Sequence, residues 1–358
     1  MKADGPDGKR PGVLSVPAVH TQELLRELGS HRLVDPTRKI VKREGRVLVP
    51  VIHEPTVDLV PFDARWDEVG TVPPRTVLRD PWDRIREGLR AAGIPIALAP
   101  RRWKRIGDVI FLRIPQEDQG TAPAIAQVFG TTLGARTVVE ERSGIHGPLR
   151  TPDVRVLWGD GTETVHIEGG VRFSLDVAKV MFSPGNFEER IGIADRIRPG
   201  AVVVDLFAGI GYFSLPIAVR RRPEAVYACE LNPVSYAFLV RNIRLNRAEK
   251  VIPLHGNCRE VAPRGIADWV IMGHFDAREY LDVAFAALRG KGTIVYHELC
   301  PKEQYPEGLA RRLAASSRAH WLNVRSIRTR IVKSYAPGIV HVAAEVAVTP
   351  QIRTSGPK

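Results

Sequence analysis

The sequence has few cysteines, no long apolar run and fewer acidic than basic residues. Its 358 residues include three cysteines, Cys229, Cys258 and Cys300, which lie far apart and form no CxxC pair. Neither a disulfide framework nor a cysteine-based zinc site is therefore expected, no metal is predicted, and a reducing cytoplasm is the expected location. Because no stretch of about 18 apolar residues occurs, a membrane-spanning helix is not expected either.

The ends and the charge of the chain add two further expectations. The polar start MKADGPDGKRPG has no apolar segment behind it, which argues against a secretory signal and predicts a disordered start. The chain carries 52 Lys and Arg residues against 40 Asp and Glu residues, a net charge of +12. This excess attracts polyanions, so nucleic acid is the expected partner, and a solvated cationic surface is the alternative.

Two smaller α+β domains are predicted to precede a larger one. The first, residues 1–75, contains a helical stretch from His20 to Leu33 and a hairpin that turns at Glu44-Gly45. The proline-rich segment VGTVPPRTV (69–77) is predicted to be a linker, because proline is excluded from helix interiors and central strands.

The second part, residues 76–180, is predicted to bind tRNA or substrate. It begins with a helix over 81–93 and continues with short strands. A turn at Gly159-Asp160-Gly161, followed by the segment TETVHIEGGVRFSLDV, predicts a small antiparallel sheet.

From residue 181 to residue 350, fully apolar strands alternate with amphipathic helices. This pattern is typical of a parallel sheet covered on both faces. Two strands joined at Pro337-Gly338 then predict an antiparallel hairpin at the sheet edge, and residues 351–358 are left as a flexible tail. The fold class is therefore α/β, the Rossmann-like seven-stranded class I fold of S-adenosylmethionine-dependent transferases.

The segment VVVDLFAGIGYFS (202–214) is the strongest sign of a cofactor site. A buried strand delivers Asp205, and glycines follow where the ligand crevice of an open α/β sheet lies. A dinucleotide site would need a third glycine where Ser214 stands, and a carboxylate repels a pyrophosphate. S-adenosylmethionine, with its ammonium and sulfonium groups, is therefore the predicted cofactor. The predicted contacts from this loop are Asp205, Phe207, Gly209 and Gly211.

Polar residues also follow the next two strands. Glu230, at the end of the second strand and followed by Asn232, is predicted to accept hydrogen bonds from the ribose hydroxyls. Asn257, after the third strand, is predicted to meet the adenine edge with its amide. Taken singly, each of these residues is also an ordinary turn or cap residue, so the prediction depends on their occurrence at successive strand ends.

Residues 78–349 resemble the tRNA guanine-37 N1-methyltransferase family of archaea and eukaryotes, and its close relative, the wyosine-pathway aminocarboxypropyltransferase. The resemblance is carried by four segments: DVAKVMFSPGNFEER (176–190), VVVDLFAGIGYFSLPIA, ACELNPVSYAFLVRNIRLN and IVKSYAPGIVHVAAEV. It implies a tRNA substrate modified at position 37, in the anticodon loop, and places Ser183, Pro184, Asn186, Glu189 and Arg190 near cofactor and tRNA. Asn186-x-x-Glu189 is equally a capping box that would open a helix.

The two relatives differ after the fourth strand. By resemblance, the methyltransferase carries an Asn-Pro-Pro or Asn-Leu-Pro motif there, whose Asn helps to hold guanine, whereas this chain reads Met272-Gly273-His274. Gly273 is expected to leave room for a wider, tricyclic base. The predicted reaction is transfer of the 3-amino-3-carboxypropyl group to a wyosine precursor in tRNA-Phe, with Glu189, or with less support His274, removing the ring proton.

A basic run with one aromatic ring is the predicted RNA contact. It would bind phosphates and a stacked base, and the alternative is a basic surface loop. The predicted tRNA-binding residues are Arg101, Arg102, Trp103, Lys104, Arg105, Arg150 and Arg172. Two other functions stay open: a tRNA guanine-37 methyltransferase, and a non-catalytic RNA-binding protein with a decayed transferase fold. The protein is expected to be a monomer.

Overall fold

The structure, a computed structural model, describes residues 11–67, 71–75, 80–115, 118–142 and 151–351. These residues form two compact units, 1–84 and 85–358, whose boundary falls inside helix α2 (Pro81–Ala91). The predicted disordered start, residues 352–358 of the predicted tail, and Arg150 lie outside the described residues. The domain boundaries expected near residues 75 and 180 stay predictions.

The described residues of the first unit form an antiparallel sheet, an α-helix and the start of α2. Its strands lie in the order β2-β3-β1-β4 and span β1 Gly12–Pro17, β2 Val41–Arg43, β3 Arg46–Val51 and β4 Arg65–Asp67. The predicted helix forms over Thr21–Ser30 (α1) and buries Leu24 and Leu28. The hairpin turn at Glu44-Gly45 is confirmed: both residues have positive φ, 49° and 81°, the geometry of a type I′ turn.

A seven-stranded sheet organises the second unit, in the order β13-β12-β11-β14-β15-β17-β16. The strands span β11 Val202–Asp205, β12 Ala225–Glu230, β13 Val251–His255, β14 Ala267–Met272, β15 Leu288–Pro301, β16 Leu322–Ala336 and β17 Ile339–Pro350. The first five are parallel, and β17 runs antiparallel between β15 and β16. The predicted fold class and the hairpin at Pro337-Gly338 are confirmed.

Helices connect these strands and cover the sheet. They span α4 Phe187–Arg196, α5 Ser214–Arg221, α6 Pro233–Leu245, α7 Cys258–Val261, α8 Leu281–Ala287 and α9 Glu307–Arg318. The sequence patterns did not predict α9. In the described part of the chain, no helix has both the length and the apolar character needed to cross a membrane.

The segment before this sheet contains two smaller sheets. The strands β5 Lys104–Ile106, β6 Val109–Leu112, β7 Thr137–Glu141 and β8 Val154–Gly159 form one sheet, whereas β9 Glu163–Glu168 and β10 Val171–Asp176 form another. The small antiparallel sheet predicted after the Gly159-Asp160-Gly161 turn is confirmed, because β9 and β10 pair in antiparallel register. Gly159 and Gly161 both have positive φ, and the Thr137 hydroxyl bonds the carbonyl oxygens of Asp160 and Gly161, so the chain turns away from β8. A helix that the patterns did not predict, α3 Ala122–Leu133, also lies in this segment.

One hydrophobic core joins this segment to the seven-stranded sheet. Ile106 and Val139 belong to the same buried cluster as Phe173, Ile193 and Val203. The core therefore anchors α4 and the strands behind it, from which side chains of the candidate site project.

Candidate active site

A cavity of about 390 Å³ opens at the carboxyl ends of the parallel strands. Side chains from the loops after β11, β12, β13 and β14 line one part of it, and side chains from α4, β15, β16 and β17 line another. This volume lies within the range of small-molecule sites, and its position is where open α/β sheets bind ligands. We call the first part the cofactor end and the second part the acceptor end.

At the cofactor end, the glycine loop is held by Glu230. Gly209 and Gly211 have φ of 57° and 101°, which favour glycine, and a Cβ on Gly209 would collide with the Tyr212 ring. Glu230 accepts a hydrogen bond from the Gly209 amide at 2.7 Å and one from the Asn232 amide at 2.7 Å. Burial raises the pKa of Glu230. Its carboxylate lines the cavity and keeps lone pairs available for a ligand hydroxyl.

Asp205 lies beneath this loop and does not line the cavity. It is fully buried, accepts a hydrogen bond from the Ser214 hydroxyl at 2.7 Å, and accepts a longer one from the Phe207 amide at 3.3 Å. Burial raises the pKa of Asp205 to about 7. Gly211 is also absent from the cavity lining. Both residues shape the loop, and the contacts predicted between them and the cofactor stay predictions.

The two predicted asparagines begin helices. Asn232 caps α6 by accepting a hydrogen bond from the Val234 amide, and Asn257 caps α7 by accepting one from the Arg259 amide. Both also line the cavity. The cap and ligand readings are therefore compatible, because an amide whose oxygen caps a helix still carries two N–H donors.

Aromatic rings form the wall beside Asn257. Phe207 stacks on His274 with ring centroids 5.1 Å apart and meets Tyr280 edge to face at 5.1 Å. The His274 Nδ1 accepts a hydrogen bond from the Asp276 amide. His274 therefore lies at the cofactor end, which is separate from the residues around Glu189.

Ser183 and Arg190 meet at the cavity wall. Arg190 is buried, donates to both carboxylate oxygens of Glu168, and donates to the Ser183 carbonyl at 3.0 Å. Its guanidinium also lies 4.9 Å from the centroid of the Phe182 ring. These contacts fix the loop before α4, and Ser183 and Arg190 both line the cavity.

Glu189 projects from the first turn of α4 into the acceptor end. The predicted capping box is wrong, because Asn186 makes no side-chain hydrogen bond at the start of the helix. The buried Glu189 carboxylate instead has its Oε1 3.4 Å from the Nε2 of His297, and its Oε2 forms an ion pair with Arg330. His297 Nδ1 lies 3.1 Å from the Nε2 of His341.

Sequence reasoning missed His297 and His341. Both are buried, and burial lowers the pKa of His297 to about 3 and that of His341 to about 4. They lie on β15 and β17, which pair in the sheet, although 44 residues separate them in the chain. The available signal was a histidine inside each of two apolar strands, VYHE and IVHVAAEV.

Gly273 does not leave the open space expected of it. A Cβ at this position would lie 2.4 Å from Cε2 of Phe213, and Phe213 itself lines the cavity. The expectation that a tricyclic base fills the space beside Gly273 is therefore wrong. Glycine is required there because the Phe213 ring occupies that space.

The predicted RNA contact divides into two parts. Arg101, Arg102, Trp103 and Lys104 line an open groove, where Lys104 pairs with Glu141 at 3.1 Å. Arg105 points elsewhere and donates to the carbonyls of Leu133 and Gly134 at the end of α3. Arg113, which was not predicted, joins the groove from the segment after β6 and also pairs with Glu141. Arg172 lies apart, on β10, with an exposed side chain.

Two family models match the second unit. Residues 164–325 match the TRM5/TYW2 methyltransferase domain, and residues 85–162 match the TYW2 N-terminal domain. The chain is 37% identical over 270 residues to the tRNA(Phe) (4-demethylwyosine(37)-C(7)) aminocarboxypropyltransferase of Pyrococcus horikoshii, covering 74% of this chain and 96% of the relative. The chain belongs to the TRM5/TYW2 family.

Two further relatives represent the two enzymes for which this family is named, TYW2 and Trm5. The crystal structure of P. horikoshii TYW2 in complex with MeSAdo matches with a TM-score of 0.68 and 35% identity, over 75% of this chain and 98% of that one. The tRNA (guanine(37)-N(1))-methyltransferase Trm5b of Pyrococcus abyssi is 30% identical over 328 residues, 90% of this chain and 94% of the relative. The predicted family resemblance is confirmed.

Proposed function

We propose that this TRM5/TYW2 family member transfers the 3-amino-3-carboxypropyl group of S-adenosylmethionine to carbon C7 of 4-demethylwyosine at position 37 of tRNA-Phe. The observation that carries the proposal is the end of β14, where Met272-Gly273-His274 offers no side-chain amide to hold a guanine edge. The TYW2 N-terminal domain match over residues 85–162 supports the same choice. Guanine-37 N1-methylation is the second candidate, favoured by the coverage of the Trm5b relative.

The residues at the cofactor end fit S-adenosylmethionine. Glu230 would accept hydrogen bonds from its ribose hydroxyls, and Asn257 and Phe207 would hold its adenine. Phe213 would then lie beside its methionine arm. This placement rests on the lining of a single cavity by all four residues.

The reaction requires one bond to form and one to break. The acceptor ring carbon attacks the methionine Cγ, a carbon–carbon bond forms, and the Cγ–sulfur pair of electrons moves to sulfur. The sulfonium becomes the neutral thioether of methylthioadenosine. Glu189 accepts the proton lost by the ring carbon, because its carboxylate lines the acceptor end whereas His274 stacks on Phe207 at the cofactor end.

The tRNA is bound by the basic groove, and the chain works as a cytoplasmic monomer. Residues 76–180 would then carry the main tRNA surface and residues 181–350 the catalytic site. The groove supports this division, because several of its side chains are cationic and Trp103 adds a ring that suits a stacked base. Light scattering on the protein with and without tRNA tests the monomer.

The test of function is the identity of the small product. The enzyme is incubated with labelled S-adenosylmethionine and tRNA-Phe from a strain that lacks this enzyme activity, and the small molecules are separated by chromatography. We expect methylthioadenosine, and none from an unmodified guanine-37 transcript. Release of S-adenosylhomocysteine with that transcript would establish the methyltransferase instead.

A further inference from the structure

The acceptor end contains a chain of three buried polar groups, and the reaction above leaves two of them, His297 and His341, without a role. Glu189 Oε1 lies 3.4 Å from His297 Nε2, and His297 Nδ1 lies 3.1 Å from His341 Nε2. All three residues are at least nine-tenths buried and line the cavity. A chain of this kind is costly to bury unless its donors and acceptors match along its length.

The nitrogens at the two ends of the histidine pair, His297 Nε2 and His341 Nδ1, determine where the ring hydrogens lie. His341 Nδ1 is buried and has no hydrogen-bond partner among the described residues. His297 Nε2 also has no hydrogen-bond partner among the described residues, so one of these two nitrogens carries a hydrogen and the other is bare. Because the Glu189 carboxylate lies 3.4 Å from His297 Nε2, the hydrogen belongs at that end, so His341 Nδ1 is the bare nitrogen and His341 Nε2 carries a hydrogen. His341 Nε2 then donates to His297 Nδ1. The hydrogen of His297 is therefore on Nε2, the atom that faces Glu189.

Both rings stay neutral in this arrangement. Burial lowers the pKa of His297 to about 3 and the pKa of His341 to about 4, with the nearby charges of Lys333 and Arg330 acting in the same direction on His341. Phe213 and Phe275 pack against the two rings from the other side. Above about pH 5 the pair therefore offers a fixed donor and carries no charge of its own.

The other charged groups around Glu189 do not prevent His297 from donating a hydrogen bond to it. Arg330, from the neighbouring edge strand, contacts Oε2, and Arg190, one residue along α4, is held by Glu168. Glu188 points to solvent. Since each carboxylate oxygen accepts about two hydrogen bonds, Glu189 held from both sides still has lone pairs that face the cavity.

We propose that His297 and His341 are positioning residues, a chain of two neutral imidazoles that donates to Glu189 and holds its carboxylate toward the acceptor base. The chain acts only through Glu189, and this inference rests on the proposed function. Its effect is to keep Glu189 ionised and oriented when the ring carbon loses its proton. At 3.4 Å the His297–Glu189 contact is long for a hydrogen bond, and catalytic contacts commonly tighten only in the complex with substrate.

The kinetic test compares phenylalanine variants, whose ring has no hydrogen-bond donor, with glutamine variants, whose amide has one. His297→Phe and His341→Phe remove the donors, whereas His297→Gln and His341→Gln keep an N–H near the position of Nε2. Single-turnover rates with tRNA carrying the precursor should fall about 10- to 100-fold in the Phe variants and be largely restored in the Gln variants. The acid limb of the pH–rate profile should move up by about one pH unit in His297→Phe, because the carboxylate has lost a donor.

Controls separate this role from general damage. His320→Phe changes a histidine that stacks on Phe285 away from the cavity and should keep the wild-type rate and pH profile. S-adenosylmethionine affinity, measured by calorimetry, should be unchanged in all four variants. A wild-type pH profile and rate in His297→Phe would overturn the proposal. Failure of the wild-type enzyme to form methylthioadenosine would instead overturn the proposed function.

A second measurement needs no catalysis. In protein labelled with ¹⁵N-histidine, both rings should show a bare Nδ1 and a protonated Nε2 at neutral pH, and neither should titrate down to pH 5. Assignment by the Phe variants identifies each signal. Protonated Nδ1 on either ring would overturn the proposal, even if the variants prove too unstable for kinetics.

Discussion

The two ends of the cavity are built in different ways. The cofactor end comes from four successive strand ends, and each of its key side chains lies within a few residues of the end of its strand. The acceptor end brings together Glu189 from α4, His297 from β15 and His341 from β17, and its first and last residues are 152 positions apart in the chain. The cofactor end is therefore built from short segments of sequence, each at the end of one strand. The acceptor end is assembled only when the sheet forms.

The largest expected effect tests the buried centre of the cofactor end. Burial raises the pKa of Asp205 to about 7 from an ordinary 3.8. Because the folded-state pKa is the higher one, Asp205 favours the folded protein below about pH 4, and this advantage is lost as the pH rises toward 7. Asp205→Asn removes this dependence, so the difference in unfolding free energy between wild type and variant should change by about 4 kcal/mol from pH 4 to pH 8.

Denaturant unfolding of the cofactor-free protein at several pH values measures this change. The variant should gain stability relative to wild type as the pH rises. Parallel stability curves for the two proteins would show that Asp205 is not perturbed by its burial.

Glu230 is expected to affect the ligand directly and, through its bonds to the Gly209 and Asn232 amides, the loop around the ligand. Glu230→Ala removes charge-assisted hydrogen bonds to the ribose, and we expect a loss of about 1.5–3 kcal/mol, roughly ten- to a hundred-fold in S-adenosylmethionine affinity. Calorimetry measures the affinity, and circular dichroism checks the fold. Glu224→Ala, at an exposed residue immediately before the same strand, is the matched control. Equal affinity in the two variants would remove Glu230 from the site.

These cofactor-end residues were predictable because strand ends are visible in sequence. An apolar run followed by Glu230 and Asn232 indicates that these side chains lie at a strand end, where the cavity opens, and their contacts with the cofactor stay predictions. The physical role of Asp205 was not visible, since only packing shows that its carboxylate bonds Ser214 and not the cavity. His297 and His341 were not predictable either, because register between distant strands places them together.

Gly273, which lies beside Phe213 in the cavity wall, is expected to tolerate no larger side chain. Gly273→Ala places a methyl group where Phe213 Cε2 now lies 2.4 Å from the ideal Cβ position. Phe213 must move into the cavity, and we expect about 1–3 kcal/mol of destabilisation together with weaker cofactor binding. Thermal unfolding and calorimetry measure the two effects. Gly29→Ala, on α1 with no atom within 4 Å of the new Cβ, is the control and should not lose stability. An unaffected Gly273→Ala variant would mean that Phe213 yields freely.

The basic groove also combines residues that are adjacent in sequence with one that only the fold brings to it, and the effects expected there are smaller. Arg105 belongs to the basic run in sequence but donates to carbonyls at the end of α3, whereas Arg113 lies outside the run and lines the groove. If the groove binds tRNA phosphates, Arg113→Ala should weaken binding and lower the salt-dependence slope by about 0.7–0.9, the effect of one phosphate contact. Arg105→Ala should leave that slope unchanged. Arg220→Ala, which removes an exposed cation paired with Asp195, controls for net charge. Filter binding at several salt concentrations measures these slopes. If Arg105→Ala lowers the slope and Arg113→Ala does not, then the RNA contact follows adjacency in the sequence and not position in the groove.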